Sequence, residues 1–213
     1  MASSTDFLGG QIRITRRWHI PEIAALLLLC IGVVCFGEGM WIKGKALLAQ
    51  ILIARAWAHA QAGAPAPKPW PWADTTPIAR LDLPSHAPRE EVRELYVLEG
   101  ASGRNLAFGP THDSASVRPG TLGNSVIEGH RDTHFRALRD MRIGDQLKLQ
   151  GLDGRWISFA VVDVRVVDSR RFRIVLRSDV PRLTLVTCYP FDAIFPGGPL
   201  RWVVTADRKS LGR

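Results

Sequence analysis

The chain has 213 residues, 46% of them hydrophobic and 23% charged, which excludes a disordered polymer and allows one globular core with an appendage. Its formal charge of +8 is spread along the sequence without a Lys/Arg run interleaved with aromatics, so no nucleic-acid partner is expected. Three cysteines, none in a CxxC or zinc-type spacing, exclude a disulfide framework and argue against a metal centre; nothing in the sequence calls for a cofactor.

Residues 1–17 are polar and basic and read as a tail. Residues 18–42 are mostly apolar, with an uncharged stretch over 23–37 between Glu22 and Glu38 and a tryptophan at each end, Trp18 and Trp41. That stretch is short for a bilayer span of roughly 20 residues, but the flanking tryptophans suit membrane interfaces. A small-residue cleavage site should follow directly if this were a signal peptide, and Ala58-His59-Ala60 stands far downstream, so a retained single-pass anchor is expected. Arg13, Arg16 and Arg17 before it face Lys43, Lys45 and Arg55 after it, three against three. The tight cluster before the segment favours a cytoplasmic tail and a C-terminal domain outside the cytoplasm.

Residues 43–63 contain strong helix formers with apolar Leu47, Leu48, Ile51, Leu52 and Trp57, which predicts an amphipathic helix with His59 on its surface. The prolines and tryptophans of 64–75 read as a stiff linker, and Trp70 and Trp72 suggest that its end packs onto the domain. From 76 to 213 the pattern becomes short β-type runs at 78–83, 93–98, 125–128, 146–149, 156–167, 182–188 and 201–205. Asp153-Gly154 marks a hairpin, 133–141 a short helix, and 172–176 is ambiguous. Without strands alternating with long helices, an all-β closed or nearly closed barrel is expected.

The run at 182–188 ends on Cys188 and is broken at once by Pro190, which cannot donate to a sheet ladder. A thiol at a strand end is rigid behind and open in front, as a nucleophile requires. His130 follows the short run 125–128 and Gly129, so it too stands at a strand end, as a candidate acid/base. Arg201 opens the run after a Gly-Gly-Pro turn, where a guanidinium lies near the thiol and can donate to a developing oxyanion. Taken singly, such residues are more often a structural thiol, a turn histidine and a solvated edge arginine. Asp132 and His134 stand near enough to His130 to orient it or compete for its role, and His112 reads as a loop residue.

Thr184-Leu185-Val186-Thr187-Cys188 resembles the TLxTC signature of sortases. The order His130, Cys188, Arg201, with spacings of 58 and 13 positions, is similar to the family's. Together with Pro-Trp-Pro-Trp-Ala-Asp-Thr at 69–75, Leu-Ala-Phe-Gly-Pro at 106–110 and Gly-His-Arg-Asp-Thr-His-Phe at 129–135, the chain from about residue 40 onward resembles the class GN sortases of Gram-negative proteobacteria. The resemblance implies an eight-stranded β-barrel with short helices behind an N-terminal transmembrane helix, held in the inner (cell) membrane with the barrel on the periplasmic, extracytoplasmic side. It implies a cysteine transpeptidase that cleaves an LPxTG-like C-terminal sorting motif of a secreted partner through a thioacyl-enzyme and passes the product to an amine. Cys188 is then the nucleophile, His130 the general acid/base and Arg201 the oxyanion donor, with Thr187, the backbone N–H of Tyr189 and Asp132 as support. No acidic cluster carries over the calcium site of some relatives, and the acceptor amine is not named by the sequence. A thiol hydrolase on the same scaffold and a non-catalytic, membrane-tethered peptide-binding domain are the alternatives.

Overall fold

The computed structural model describes residues 20–84, 93–195 and 197–209, so the tail at 1–17 with its arginine cluster lies outside the described residues. Within residues 76–213 the β-branched and alternating runs form eight strands: β1 (Pro77–Leu83), β2 (Arg93–Glu99), β3 (Thr111–His112), β4 (Gly123–Glu128), β5 (Gln146–Gln150), β6 (Trp156–Asp168), β7 (Pro181–Cys188) and β8 (Leu200–Arg208). They close into a barrel in the order β1-β2-β3-β4-β7-β8-β6-β5. Pairing is antiparallel except at β2–β3 and β4–β7, which run parallel. Seven strands coincide with the runs read from the sequence. The eighth, β3, replaces the loop expected around His112, because two residues are too few to show a period of two. The short helix expected at 133–141 is a 3-10 helix, Arg136–Asp140, and 172–176 has no regular structure.

Alternation puts every second side chain inside the barrel. Leu81, Leu83, Val97, Ile127, Leu147, Leu149, Phe159, Leu183, Leu185 and Val204 form one buried core, joined by Phe135 and Leu138 from the segment after β4. The opposite faces of β4, β7 and β8 are apolar as well: Val126, Val186 and Val203 form a second cluster, with Val167 and Ile174 packed against it. Ile174 belongs to the β6–β7 connection, which Asn124 ties to the wall. The Asn124 backbone N–H donates to the Leu176 carbonyl at 2.9 Å, its side-chain amide donates to the Val175 carbonyl at 2.8 Å, and its Oδ1 accepts from the Thr184 hydroxyl at 2.8 Å.

A helix, α1 (Ile20–Gln61), runs unbroken through the position where the sequence suggests a change from membrane segment to amphipathic helix. It is long and apolar enough to cross a membrane, and none of its most apolar stretch is buried. By contacts the chain divides into two units, Met1–Lys45 and Ala46–Arg213, so the last turns of α1 belong to the barrel's unit. There the buried face is Ala49, Ile53, Ala56 and Trp57, while Leu47, Leu48 and Ile51 are exposed. Trp57 faces Tyr96 of β2 at 6.4 Å between ring centroids, and the Gln50 amide donates to the Phe108 carbonyl at 2.7 Å. At the end of the proline-rich stretch Trp70 sits edge-on to Phe108 at 5.0 Å, whereas Trp72 is 81% exposed.

If the Ala49–Ile53–Trp57 face supports the barrel, Ile53→Ala should lower unfolding stability by about 2–5 kcal/mol. Leu48→Ala in the same helix should change it by no more than about 0.5 kcal/mol. Chemical denaturation of both variants in detergent, followed by Trp fluorescence, checks the contrast.

Candidate active site

In β7 the core-facing residues are Leu183 and Leu185, with Thr187 buried after them, so Val186 and Cys188 face outward. Cys188 is the last residue of β7 and is half-buried. β8 runs antiparallel to it with Cys188 directly opposite Arg201, and opposed residues of an antiparallel pair project on the same face. The arginine expected to lie beside the thiol is therefore its cross-strand neighbour. Arg201 Nη1 donates to the carbonyls of Gly198 at 2.6 Å and Leu200 at 2.9 Å. Those bonds hold the guanidinium plane and leave its Nη2 and Nε donors for another acceptor.

β4 reaches the same end of the barrel from the other side of β7. Its last paired residue, Glu128, stands opposite Val186, and the pairing continues one step: the Gly129 N–H donates to the Val186 carbonyl at 3.1 Å. The buried Thr187 hydroxyl then donates to the Gly129 carbonyl at 2.7 Å. Gly129 is a steric necessity, since a Cβ there would lie 2.7 Å from two ring carbons of the fully buried Phe135. His130 is exposed and stands two positions beyond Glu128, as Cys188 stands two beyond its partner Val186. Among the described residues its imidazole has no hydrogen-bond partner.

Two residues that the sequence reading passed over complete the surroundings. Glu128 shares the outward face with Val186, and burial pushes its carboxyl above the ordinary value of 4.5. The Asp113 charge adds to that rise and the Arg201 charge offsets part of it. Arg131 is 8% exposed, and its guanidinium donates to the carbonyls of Pro190 at 2.6 Å and Ala193 at 2.8 Å. It thereby ties the segment after His130 to the segment after Cys188. The second segment is also held by rings: Tyr189 stacks on Trp202 at 5.8 Å, Phe191 meets Trp202 edge-on at 5.9 Å, and the Trp202 indole donates to the Leu138 carbonyl at 2.9 Å.

The supporting residues suggested by the sequence divide. Thr187 is in place as the clamp on Gly129. The Tyr189 N–H donates to the Leu200 carbonyl at 3.1 Å, so in this structure it extends the β7–β8 ladder and does not point at an incoming oxygen. Asp132 is exposed and paired with Arg131 at 3.5 Å, and the His134 ring bonds to the Thr133 hydroxyl at 3.2 Å. His112 is 3% exposed in β3, with Nε2 at 2.9 Å from the Val117 carbonyl and 3.0 Å from the Ser116 hydroxyl, away from the outer wall. Among the described residues no three His, Cys, Asp or Glu side chains converge as a metal site.

A family model described as the Sortase domain matches residues 86–209. Sortase D of Bacillus subtilis (strain 168) is 34% identical over 116 residues, covering 54% of this chain and 58% of that protein, so the chain matches little more than half of that relative's length. Among solved structures, sortase A from Corynebacterium diphtheriae superposes with a TM-score of 0.56 at 24% identity, covering 66% of this chain and 64% of that one. A sortase D5 transpeptidase of Clostridium perfringens gives 0.52 at 23% identity, over 63% and 80% of the two chains. Sortase C-1 from Actinomyces oris gives 0.52 at 26% identity, over 75% and 99%.

Gly129→Ala should cost about 1–3 kcal/mol by forcing the strand end away from Phe135. Pairing it with Phe135→Leu should restore part of that loss in a denaturation experiment. Glu128 gives a signed pH dependence. A native carboxyl value raised above the unfolded one supplies stability that is complete below 4.5 and lost as pH rises through the native value. Glu128→Gln should therefore melt at a higher temperature than the parent at pH 7, and that advantage should shrink as the pH falls toward 4.5, in parallel thermal scans.

Proposed function

Because the chain belongs to the sortase family, we propose that it is a membrane-anchored cysteine transpeptidase of the class GN type. In this reading α1 supplies a single-pass anchor and the barrel works on the periplasmic side of the inner membrane. The substrate is a secreted protein with an LPxTG-like C-terminal sorting motif, and the acceptor is an amine. The observation that carries the reading is the placement of Cys188 opposite Arg201 on β7–β8, with the His130 segment clamped to β7 by Thr187.

The chemistry follows from those positions. The Cys188 thiolate attacks the carbonyl carbon of the scissile Thr–Gly bond, and the carbonyl electrons move to oxygen. The oxyanion is met by the Arg201 Nε and Nη2 donors, which the Gly198 and Leu200 carbonyls leave free. Collapse breaks the C–N bond, His130 gives its proton to the departing amine, and a thioester on Cys188 remains. An incoming amine attacks that thioester, His130 takes the proton released, and the sulfur leaves as thiolate, so one amide replaces another. The Val126–Val186–Val203 cluster, covered by Val167 and Ile174, stiffens the wall that carries Cys188.

Incubation of the full chain with an LPxTG-like peptide, followed by intact mass spectrometry, tests the reading. A thioester adduct should form on Cys188, and Cys188→Ala should abolish both the adduct and cleavage, a loss of at least about 1,000-fold. With hydroxylamine present the amine-linked product should form faster than free acid. Free acid alone would point to a thiol hydrolase, and full cleavage by Cys188→Ala would leave a peptide-binding domain.

A further inference from the structure

Acyl transfer needs room for two partners, and the wall that carries Cys188 differs in chemistry from the segments that follow its strands. The β4–β7–β8 wall is apolar, with Val126, Val186 and Val203 in contact and Ile174 packed on them. Beyond the strand ends, the segments that leave β4 after His130 and β7 after Cys188 border a half-open pocket of about 260 Å³ lined by Arg131, Asp132, Arg136, Arg139 and Phe191. Three guanidinium groups face one carboxylate there, and that carboxylate is already engaged by Arg131 at 3.5 Å. Arg131 is itself held by the Pro190 and Ala193 carbonyls, so the cavity wall is built in place. Arg136 and Arg139, both exposed on the 3-10 helix, have no carboxylate within ion-pair distance among the described residues.

A pocket of that size with two uncommitted guanidinium groups suits a small anion joined to a short spacer. Its lining begins at the residue after His130 and reaches the third residue after Cys188. We propose that this cavity is the acceptor subsite and that it takes an amine whose own molecule carries an anionic group, a carboxylate or a phosphate. The inference rests on the transpeptidase reading and names its second substrate class. Held by Arg136 and Arg139, the anion leaves the amine to reach past His130 to the thioester. The amine nitrogen forms the new C–N bond, its proton passes to the imidazole, and the Cys188 sulfur departs as thiolate.

Two acceptor pairs test this with the full chain in detergent and an LPxTG-like donor peptide: glycylglycine against glycylglycinamide, and O-phosphoethanolamine against ethanolamine. The anionic member of at least one pair should be used about three- to tenfold better in kcat/KM, the scale of two exposed charge contacts. The preferred pair identifies the carboxylate or the phosphate as the group bound. Arg136→Gln/Arg139→Gln should bring that ratio close to one, and added salt should reduce it in the parent. A parent ratio near one for both pairs, or a preference that survives the double substitution, overturns the assignment. A readout free of turnover separates this from failure of the transpeptidase reading. In Cys188→Ala, which cannot form a thioester, glycylglycine or O-phosphoethanolamine should saturably shift arginine Nε–Hε NMR signals, and those shifts should vanish with Arg136→Gln/Arg139→Gln. Absence of such shifts overturns the subsite whether or not the parent forms an acyl-enzyme.

Discussion

The Thr187 hydroxyl on the Gly129 carbonyl, 2.7 Å away inside the wall, is the bond on which the shared end of β4 and β7 depends. It closes the parallel pairing of β4 and β7 one residue before His130 and Cys188. Because both partners are buried, separating them would leave a polar group without a partner in an apolar interior, at a cost of about 1–3 kcal/mol. Gly129 meets the same demand from the steric side, since the Phe135 ring occupies the space a side chain would need. His130 and Cys188 thus inherit their positions from the β4–β7 pairing, and Arg201 inherits its own from the register of β8. Side chains placed on strand ends in this way need little further ordering to keep their mutual geometry.

Beyond the strand ends, order is maintained by different forces. Tyr189, Phe191 and Trp202 pack as rings, a contact that tolerates small displacements, while Arg131 bonds two carbonyls in fixed directions. The combination lets the segment after Cys188 be anchored at its start and at Ala193 with exposed Ile194 and Phe195 beyond. Electrostatics adds a third element. The half-buried Glu128 is costly to ionise, yet it shares a face with Val186 and senses the Arg201 charge, so the charge state of the outer wall is coupled across three strands.

The sequence shows what repeats and hides what is placed by tertiary contact. Strands such as β4, β6, β7 and β8 announce themselves through β-branched residues and alternation, and Cys188 through the break at Pro190. β3 has only Thr111 and His112, and its pairing with β2 and β4 comes from neighbours distant in sequence. In α1 the visible apolar residues Leu47, Leu48 and Ile51 suggest one face, while the barrel takes the face with Ala49 and Ala56, because small side chains let the helix approach closely. Of the site, the Cys188–Arg201 neighbourhood is legible from spacing. The Arg131 bonds and the burial of Glu128 are not, since a charged residue on a strand or loop reads as solvated until its surroundings are known. For Tyr189, the use of its amide by Leu200 follows from β8 register, which the sequence does not state.

The barrel's closure has one more consequence. Every strand has a neighbour on each side, but the cover is uneven: β5 pairs with residues 156–160 of β6 and β3 with Leu98 and Glu99 of β2, whereas β7 is paired with β4 from Pro181 to Val186 and with β8 from Arg182 to Cys188. A peptide beside Cys188 therefore has no open edge of β7 to extend, the mode that reads backbone and tolerates many sequences. Recognition must come from side chains on the outer wall and from the connections that border it. These are the parts that can vary without disturbing the ladder, so selectivity can drift from one lineage to another while Cys188, Arg201 and the Gly129 clamp keep their mutual geometry.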